Sequence, residues 1–376
     1  MGNDMTGRNK IHNKYEYWFA GLSSISGKKK IYIRTIFLEA EELYRMKPGQ
    51  LQKIAWLTEK EKEAIGAGQK ISESELEDRQ QYCFQNEIGL CLWQDENYPK
   101  RLKHIYNPPY GIYFRGSLPI EKAPAIAVVG ARSCSAYGKK VAEMIGFSLA
   151  EQGVSIISGM AAGIDGAGHQ GALQADGRTY GVLGCGVDVC YPTKHQKLYE
   201  AIPKKGGLLS EYPPHTKPLT FFFPQRNRMI SGLSDGIIVV EAREKSGALI
   251  TADFALEQGK EVYAVPGRIG DRLSQGTNRL IRQGAGMFLS LADFQKEMGI
   301  FADFIDSAVR NEKISLEKSE RLVYSCVDLS PKNLDELMAQ TGFSFLRLVE
   351  ILESLREKGC ILEVYENYYI RSEIFD

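Results

Sequence analysis

The sequence predicts an α/β fold: an extended Rossmann-like, doubly wound parallel sheet, flanked by a small N-terminal helical domain and a C-terminal winged helix. The first observation is that seven short apolar runs alternate with helix-like segments between residues 125 and 291. The second is that most of these runs are almost continuously apolar, which is typical of parallel strands covered by helices on both faces. In such sheets ligands bind beyond the carboxyl ends of the strands, so the residues that follow each strand are the candidate site.

Composition limits the class of protein. The 376 residues are enough for two or three domains, and 47 basic side chains balance 47 acidic ones, so a nucleic-acid site must be a local patch. Seven cysteines without CxxC pairs predict a reducing compartment and no metal site. The sequence shows no secretory signal and no apolar run long enough for a membrane span, so we expect a cytoplasmic protein.

Four regions are predicted along the chain. Residues 1–86 form helix-like groups, which predicts a SAM-like or helix-hairpin-helix-like domain; its turn at 24–28 holds one glycine, which favours an ordinary helix connection over a DNA contact. Residues 87–300 form the sheet domain, with 112–116 as an extended lead-in that packs on the sheet. Residues 301–315 are a predicted linker, and residues 316–376 are three helices and a hairpin, as in a winged helix.

The sheet domain is predicted in detail from its periodicity. Strands are expected at 125–129, 154–158, 179–183, 207–211, 236–241, 261–265 and 287–291. Helices are expected at 139–152, 164–175, 195–202, 227–233, 248–258 and 277–283.

The loop after the first strand has the chemistry of an anion site. Gly130 ends the apolar run, and Arg132 and Ser133 precede the next helix. Free backbone N–H groups and the positive end of the helix dipole meet in such a loop, and the arginine and hydroxyl add donors suited to phosphate.

The later strand ends repeat this pattern of glycine and small polar residues. Together they predict a shelf of backbone N–H donors that is too long for one cofactor. The shelf includes Gly159, Ala162, Gly163, Gly184, Gly186, Asp188, Ser246 and Thr251.

Single-stranded DNA suits such a shelf, because it needs positive charge for phosphates and flat surfaces for bases. The charge is expected from Arg132, Lys194, Lys217, Arg226 and Arg228, with Asn227 between the last two. A stacking face is expected from Phe221, Phe222 or Phe223, with the first two preferred and at least one of the three rings buried.

Nucleotide cofactors and catalysis are disfavoured. The first loop lacks G-x-G-x-x-G, and no Walker A sequence is present. Asp165 and His169, one helical turn apart, are the only candidate pair for a hydrolase, and Asp165 is more readily explained as support for its loop. We therefore expect no catalytic residue and no cofactor.

These motifs resemble the DNA-processing protein A family (DprA, also called Smf). The resemblance covers about half the chain and rests on motifs in one order: 129–132 with Tyr137-Gly138, 158–165 with His169, 184–188 with Tyr191-Pro192, 210–213, 223–228, 239–242, 246–252, 264–267 and 274–278. It implies a single-stranded DNA-binding protein that loads RecA recombinase during natural transformation, displaces or bypasses single-strand-binding protein and works as a homodimer.

The resemblance also implies roles for residues. Arg132 is expected to be a principal phosphate contact, with Ser133 and the N–H groups between Gly159 and Gly163. One of Arg226 and Arg228 is expected to contact DNA and the other to pair with an acid such as Asp165 or Glu241, and the sequence does not distinguish them.

Two other functions stay open at this point. One is a nucleotide or nucleoside-phosphate hydrolase on a related sheet, although the Pro-Gly-Gly-x-Gly-Thr motif of such enzymes is absent. The other is a partner-binding role for the C-terminal region, because residues 315–376 hold 7 Lys/Arg against 12 Asp/Glu, and this net charge of −5 opposes phosphate contact.

Overall fold

The computed structural model describes residues 12–300, 316–328, 330–358, 360–365 and 367–371. A nine-stranded sheet with helices on both faces lies between an N-terminal group of helices and a small C-terminal unit. The predicted α/β class and doubly wound sheet are confirmed. The predicted linker 301–315 lies outside the described residues.

The N-terminal region is helical, as predicted, and polar caps begin its longer helices. Asn13, Ser26, Thr58 and Ser72 each accept a backbone N–H of the first turn. The helices are α1 (Lys14–Ala20), α2 (Gly27–Ile36), α3 (Ala40–Tyr44), α4 (Pro48–Gln52), α5 (Glu59–Gly68) and α6 (Glu73–Gln85).

The sheet domain alternates strands and helices over its whole length. Its strands are β1 (Gly89–Leu92), β2 (Gly111–Gly116), β3 (Ala125–Val129), β4 (Ser155–Gly159), β5 (Thr179–Val182), β6 (Gly207–Ser210), β7 (Gly236–Val239), β8 (Glu261–Ala264) and β9 (Gly286–Met287). Its helices are α7 (Lys100–Lys103), α8 (Ala136–Glu151), α9 (Ile164–Gln174), α10 (Gln196–Lys205), α11 (Phe222–Leu233), α12 (Gly247–Glu257), α13 (Gln275–Arg282) and α14 (Leu291–Met298).

The strand order defines where the chain reverses direction across the sheet. The order is β1-β2-β6-β5-β4-β3-β7-β8-β9, and strands β3 to β9 are all parallel. Six neighbouring strands of the sheet, β5-β4-β3-β7-β8-β9, have the Rossmann order 3-2-1-4-5-6 when β3 is counted as the first strand and β6, which lies outside β5, is left out. The crossover from β6 back to β7 therefore places the topological switch point between β3 and β7.

Three details of the prediction were wrong. The last predicted strand, 287–291, is the two-residue strand β9 at Gly286–Met287, and residue 291 begins helix α14. Residues 112–116 do not merely pack on the sheet: β2 is a strand of it, antiparallel to β6 and β1. Helix α11 begins five residues before its predicted start at 227. Pro224 lies in the first turn of α11, where its missing N–H breaks no intrahelical bond. The triple phenylalanine consequently spans the start of a helix.

The N-terminal helices share one core with the sheet. Trp18 and Phe19 belong to the same buried cluster as Tyr113 and Leu208 of the sheet. Gly27 packs so closely on the sheet domain that a Cβ atom there would lie 2.0 Å from the carbonyl oxygen of Pro108. The turn at 24–28 is thus used for packing.

The described part of the C-terminal unit contains three helices and three short strands, which is the element content of a winged helix. Its core includes Val323, Leu337, Leu348 and Leu355. The elements are α15 (Lys318–Cys326), β10 (Lys332–Asn333), α16 (Leu334–Thr341), α17 (Phe345–Glu357), β11 (Ile361–Tyr365) and β12 (Tyr368–Arg371), with strand order β10-β12-β11.

Candidate nucleic-acid interface

An open cleft of about 460 Å³ lies at the switch point. The loop after β3 forms one wall, the loop after β7 forms the other, and α11 crosses between them. This is where doubly wound sheets bind ligands, because the connections on either side diverge there. We call this cavity the cleft.

The first wall carries the loop that the sequence singled out. Arg132 and Ser133 are exposed and line the cleft. Glu241, at the end of the neighbouring β7 connection, accepts hydrogen bonds from the backbone N–H of Ser135 at 2.9 Å and from its Oγ at 2.5 Å. Ser135 in turn caps α8 by accepting the N–H of Gly138. The buried carboxylate of Glu241 is therefore engaged within the loop that presents Arg132.

Arg132 is flanked by aromatic rings. Its guanidinium carbon lies 5.3 Å from the ring centroid of Phe223, and the ring centroids of Phe223 and Tyr191 are 5.5 Å apart. Among the described residues, no carboxylate forms an ion pair with Arg132. A free cation beside two partly exposed rings is suited to a phosphate and the base attached to it.

Arg226 lies in the floor of the cleft. Its side chain is buried, donates to the carbonyl of Val182 and the Oδ1 of Asn227, and lies beside Asp165. Burial lowers the pKa of Arg226 to about 10, while Asp165 opposes that shift, so the guanidinium stays charged at neutral pH. Gly159 allows this placement, since a Cβ atom there would lie 2.5 Å from the guanidinium.

Asp165 and His169 are not arranged as a catalytic pair. Burial raises the pKa of Asp165 to about 6, against the lowering effects of Arg226 and three backbone N–H groups. His169 is fully buried, its Nδ1 lies 2.6 Å from Thr179 Oγ1, and burial lowers its pKa to about 3. Among the described residues, no hydrogen bond joins Asp165 to His169. Asp165 supports the cleft, and His169 packs beneath it.

Arg228 is the one of the two arginines that pairs with an acid. Its guanidinium is buried on the opposite side of α11 from the cleft and forms a two-pronged ion pair with Glu211, with N–O distances of 2.8 and 2.6 Å. It also donates to the carbonyls of Asn107 and Gln225. Because four of its five N–H donors are engaged and it lies on the far side of α11, Arg228 is not placed to bind a phosphate in the cleft. The acid it pairs with is neither Asp165 nor Glu241.

The triple phenylalanine is divided between surface and core. Phe221 is 56% exposed, whereas Phe222 is 8% exposed and stacks against Tyr212 with ring centroids 4.0 Å apart. The expected burial of at least one ring is therefore met by Phe222, which is removed from direct contact with a base. Phe223, the least favoured of the three candidates, is the ring that lines the cleft.

A smaller hollow of about 110 Å³ adjoins the cleft beyond Arg132. Ala162 and Gly184 line it, and Gly184 leaves room for the ring of Phe223, which a Cβ atom would approach to 2.9 Å. Gly163 has a φ of +80°, and a Cβ atom there would lie 2.3 Å from the carbonyl oxygen of Ala131. Larger side chains at Gly184 and Gly163 would collide with these neighbours. The two glycines therefore let the ring of Phe223 approach the hollow and the loop after β3 approach α9.

Asp188 and Gly186 lie away from the cleft. The carboxylate of Asp188 accepts the backbone N–H of His215 at 2.9 Å and the hydroxyl of Tyr82 at 3.1 Å. A side chain at Gly186 would meet Asp188 at 2.5 Å. Asp188 thus ties the 211–221 segment to helix α6.

The second wall brings two cations that the sequence reasoning missed. Arg243 and Lys245 are exposed and line the cleft together with Ser246 and Thr251. Ser246 caps α12 by accepting the N–H of Ala248 at 3.3 Å. Their position after a strand and before a serine cap was the available signal. Lys194 and Lys217 are exposed but line neither the cleft nor the hollow.

The fold and the cleft define a Rossmann-like protein with a cationic, partly aromatic shelf at its switch point. A family model described as DNA recombination-mediator protein A matches residues 89–299, and the chain belongs to that family. The family predicted from the motifs is thus confirmed.

Known proteins extend this similarity. The DNA processing protein DprA of Bacillus subtilis (strain 168) is 45% identical over 212 residues, which are 56% of this chain and 71% of the relative. An X-ray structure of DprA from Streptococcus pneumoniae has a TM-score of 0.65 and 34% identity, covering 77% of this chain and 99% of that one. A structure on the single-stranded DNA binding mode of DprA from Helicobacter pylori has a TM-score of 0.52 and 30% identity, covering 57% and 96%.

Within the described residues, no helix is long and apolar enough to cross a membrane. The same residues contain no group of His, Cys, Asp and Glu side chains that could hold a metal ion.

Proposed function

We propose that this chain is a recombination mediator that binds single-stranded DNA in the cleft without catalysing a reaction on it. The observation that carries the proposal is Arg132, which pairs with no carboxylate of the described residues and lies beside the rings of Phe223 and its neighbour Tyr191 at the switch point. Arg243 and Lys245 continue the positive charge across the cleft, and the Ser246 cap begins a helix whose N–H groups favour anions. Arg226 supplies positive potential from the floor.

Arg132→Glu tests this proposal directly. We expect the affinity for an oligothymidylate to fall at least about tenfold, because reversal removes one phosphate contact and adds repulsion. The salt dependence of log K should also become shallower, by about 0.7 for one single-strand phosphate. Fluorescence anisotropy at several salt concentrations measures both quantities.

Lys122→Glu is the matched control. Lys122 is exposed and precedes β3, so it lies toward the amino ends of the parallel strands, away from the cleft. Its reversal changes the net charge equally and should leave binding almost unchanged. Equal losses in the two variants, or unchanged binding by a folded Arg132→Glu protein, would contradict the assignment of the cleft.

We further propose that the bound strand is handed to RecA recombinase, past single-strand-binding protein, during natural transformation in the cytoplasm. Membership in the recombination-mediator family supports this role. The experiment is RecA filament formation on DNA already coated with single-strand-binding protein. The chain should shorten the lag before RecA hydrolyses ATP, and Arg132→Glu should not; an unchanged lag with the unaltered chain would count against loading.

A homodimer is proposed from the open edge of the sheet. Edge strand β9 has two residues, and the apolar side chains Ile269 and Leu289, which follow β8 and β9, are 95% and 66% exposed. Exposed apolar side chains beside an unpaired strand edge are typical of an interface. Light scattering should give twice the chain mass, and Leu289→Arg should return it to the monomer value.

A further inference from the structure

A second cavity, of about 260 Å³, lies on the other side of α11 from the cleft. The start of α2, the loop at Tyr106 and Asn107, and the residues after β6 enclose it, with Phe254 of α12 at one side. The N-terminal helices and the sheet domain therefore build this cavity jointly.

The charge in the second cavity comes from Lys30. Glu211 and Arg228 neutralise each other through their two-pronged ion pair. Lys30 is 6% exposed, and its Nζ donates to the carbonyl of Ala20 at 2.6 Å. An ammonium group has three N–H donors, so this contact leaves donors for an anion. Burial lowers the pKa of Lys30 to about 8, which keeps it mostly protonated at neutral pH.

The mouth of the second cavity is aromatic and basic. Tyr106 is 81% exposed, and the Nζ of Lys28 lies 5.7 Å from its ring centroid. The backbone N–H of Lys28 donates to Asn107 Oδ1 at 3.0 Å, which fixes the start of α2 against the loop that carries Tyr106. An exposed ring held beside a cation can stack a base while the cation meets its phosphate.

The cleft and the second cavity are connected along α11 and α12. Ile250 lines the cleft, and Phe254, one helical turn later, lines the second cavity. A stack of rings runs in the same direction: Phe221 lies 4.4 Å from Phe222, which lies 4.0 Å from Tyr212 of the second cavity. The two cavities are therefore about one helical turn apart along α12, a distance that a strand leaving the cleft can span.

We propose that the second cavity is a further subsite for single-stranded nucleic acid, in which Lys30 receives a backbone phosphate, Tyr106 stacks a base at the mouth, and Lys28 attracts the phosphate attached to that base. This inference rests on the proposed binding of the same strand in the cleft. It gives the N-terminal helices a role in binding that the single-glycine turn at 24–28 does not indicate, because the contact is made by lysine side chains at the start of α2 and not by the backbone N–H groups of the turn.

The test is a series of oligothymidylates of about 4 to 16 nucleotides, the range of common single-strand sites. The unaltered chain should gain affinity with length in two stages, as first the cleft and then the second cavity is occupied. Tyr106→Ala should weaken binding of long oligomers about 5-fold or more while leaving short ones unchanged. Lys28→Glu should do the same and make the salt dependence shallower for long oligomers only.

Controls separate this inference from the proposed function. Lys122→Glu repeats the charge reversal away from both cavities, and thermal unfolding reports whether each variant is folded. If Tyr106→Ala and Lys28→Glu are folded and bind long oligomers as the unaltered chain does, or weaken short and long oligomers equally, the second subsite is refuted. If the unaltered chain binds no oligomer, the proposed function itself fails. Competition of long-oligomer binding by inorganic phosphate alone would identify the cavity as a free-anion site and overturn a strand subsite.

Discussion

The two sides of α11 carry arginines two positions apart with opposite surroundings. Arg226 faces the cleft and Arg228 faces the second cavity, and both are almost fully buried, at 5% and 6% exposure. The two arginines therefore do not differ in burial. They differ in the acid that lies beside each of them. Glu211 engages Arg228 with both oxygens, whereas burial raises the pKa of Asp165, the acid beside Arg226, to about 6. Within the described residues Arg226 forms no ion pair, so its positive charge remains available to an anion in the cleft.

The same contrast appears on α9. Asp165 lines the cleft, and His169, one turn later, is sealed against Thr179. A helix at the switch point thus presents functional chemistry only from the turn nearest the strand ends. Its next turn belongs to the core, whatever its side chains could do elsewhere.

The largest expected effect comes from removing Arg228, whose ion pair with Glu211 lies on the side of α11 away from the cleft. Arg228→Ala should lower the free energy of unfolding by about 3–5 kcal/mol, because it leaves Glu211 in a largely buried site without its partner. Chemical denaturation measures the change. The cost depends on the stranded charge, so adding Glu211→Gln should restore part of it.

Arg79→Ala is the matched control for Arg228→Ala. Arg79 pairs with Glu75 on the exposed face of α6, with half of each side chain accessible to solvent. Water screens such pairs, so the loss should be small. If Arg228→Ala proves no more destabilising than Arg79→Ala, the buried ion pair of Arg228 with Glu211 does not stabilise the fold more than an exposed pair does.

Phe223→Ala tests the side of α11 that faces the cleft. Removing the ring should weaken oligothymidylate binding by about 1–3 kcal/mol, or about 5- to 150-fold in Kd, if one base stacks there. Anisotropy gives the affinity. Phe147→Ala, at a ring of α8 that is 37% exposed and lines neither cavity, is the control and should bind normally. Equal affinities for the two variants would remove Phe223 from the site.

The sequence predicted the sheet well because parallel strands covered on both faces are nearly continuous apolar runs. Strand β3 agrees with its predicted bounds, and the loop carrying Arg132 lies at the switch point as strand order requires. What it could not predict depended on contacts far apart in the chain. The ion pair of Glu211 with Arg228, the distribution of three adjacent phenylalanines between core and cleft, and the convergence of Arg243 and Lys245 on Arg132 all follow from tertiary packing.

The contrast on α9 is tested through the pH dependence of stability. The pKa of His169 is lowered from 6.5 to about 3 by burial, so the unfolded chain binds a proton at this site that the folded chain does not. The free energy of unfolding is therefore unaffected by this site above pH 6.5. As the pH falls from 6.5 toward 3, the site lowers the free energy of unfolding, with a slope that approaches about 1.4 kcal/mol per pH unit. The raised pKa of Asp165 acts in the opposite sense between about pH 4 and 6, so the unaltered chain shows only the balance.

His169→Asn isolates the effect of the buried imidazole. Between pH 6.5 and 5 the variant should lose less stability than the unaltered chain, by about 1.1 kcal/mol per pH unit on average, whatever its stability at pH 7. Denaturation at each pH gives the two slopes. His104→Asn, at an exposed histidine, should keep the slope of the unaltered chain. Parallel curves for His169→Asn and the unaltered chain would mean that His169 takes up its proton in the folded protein, and that the second turn of α9 is as open to solvent as the first.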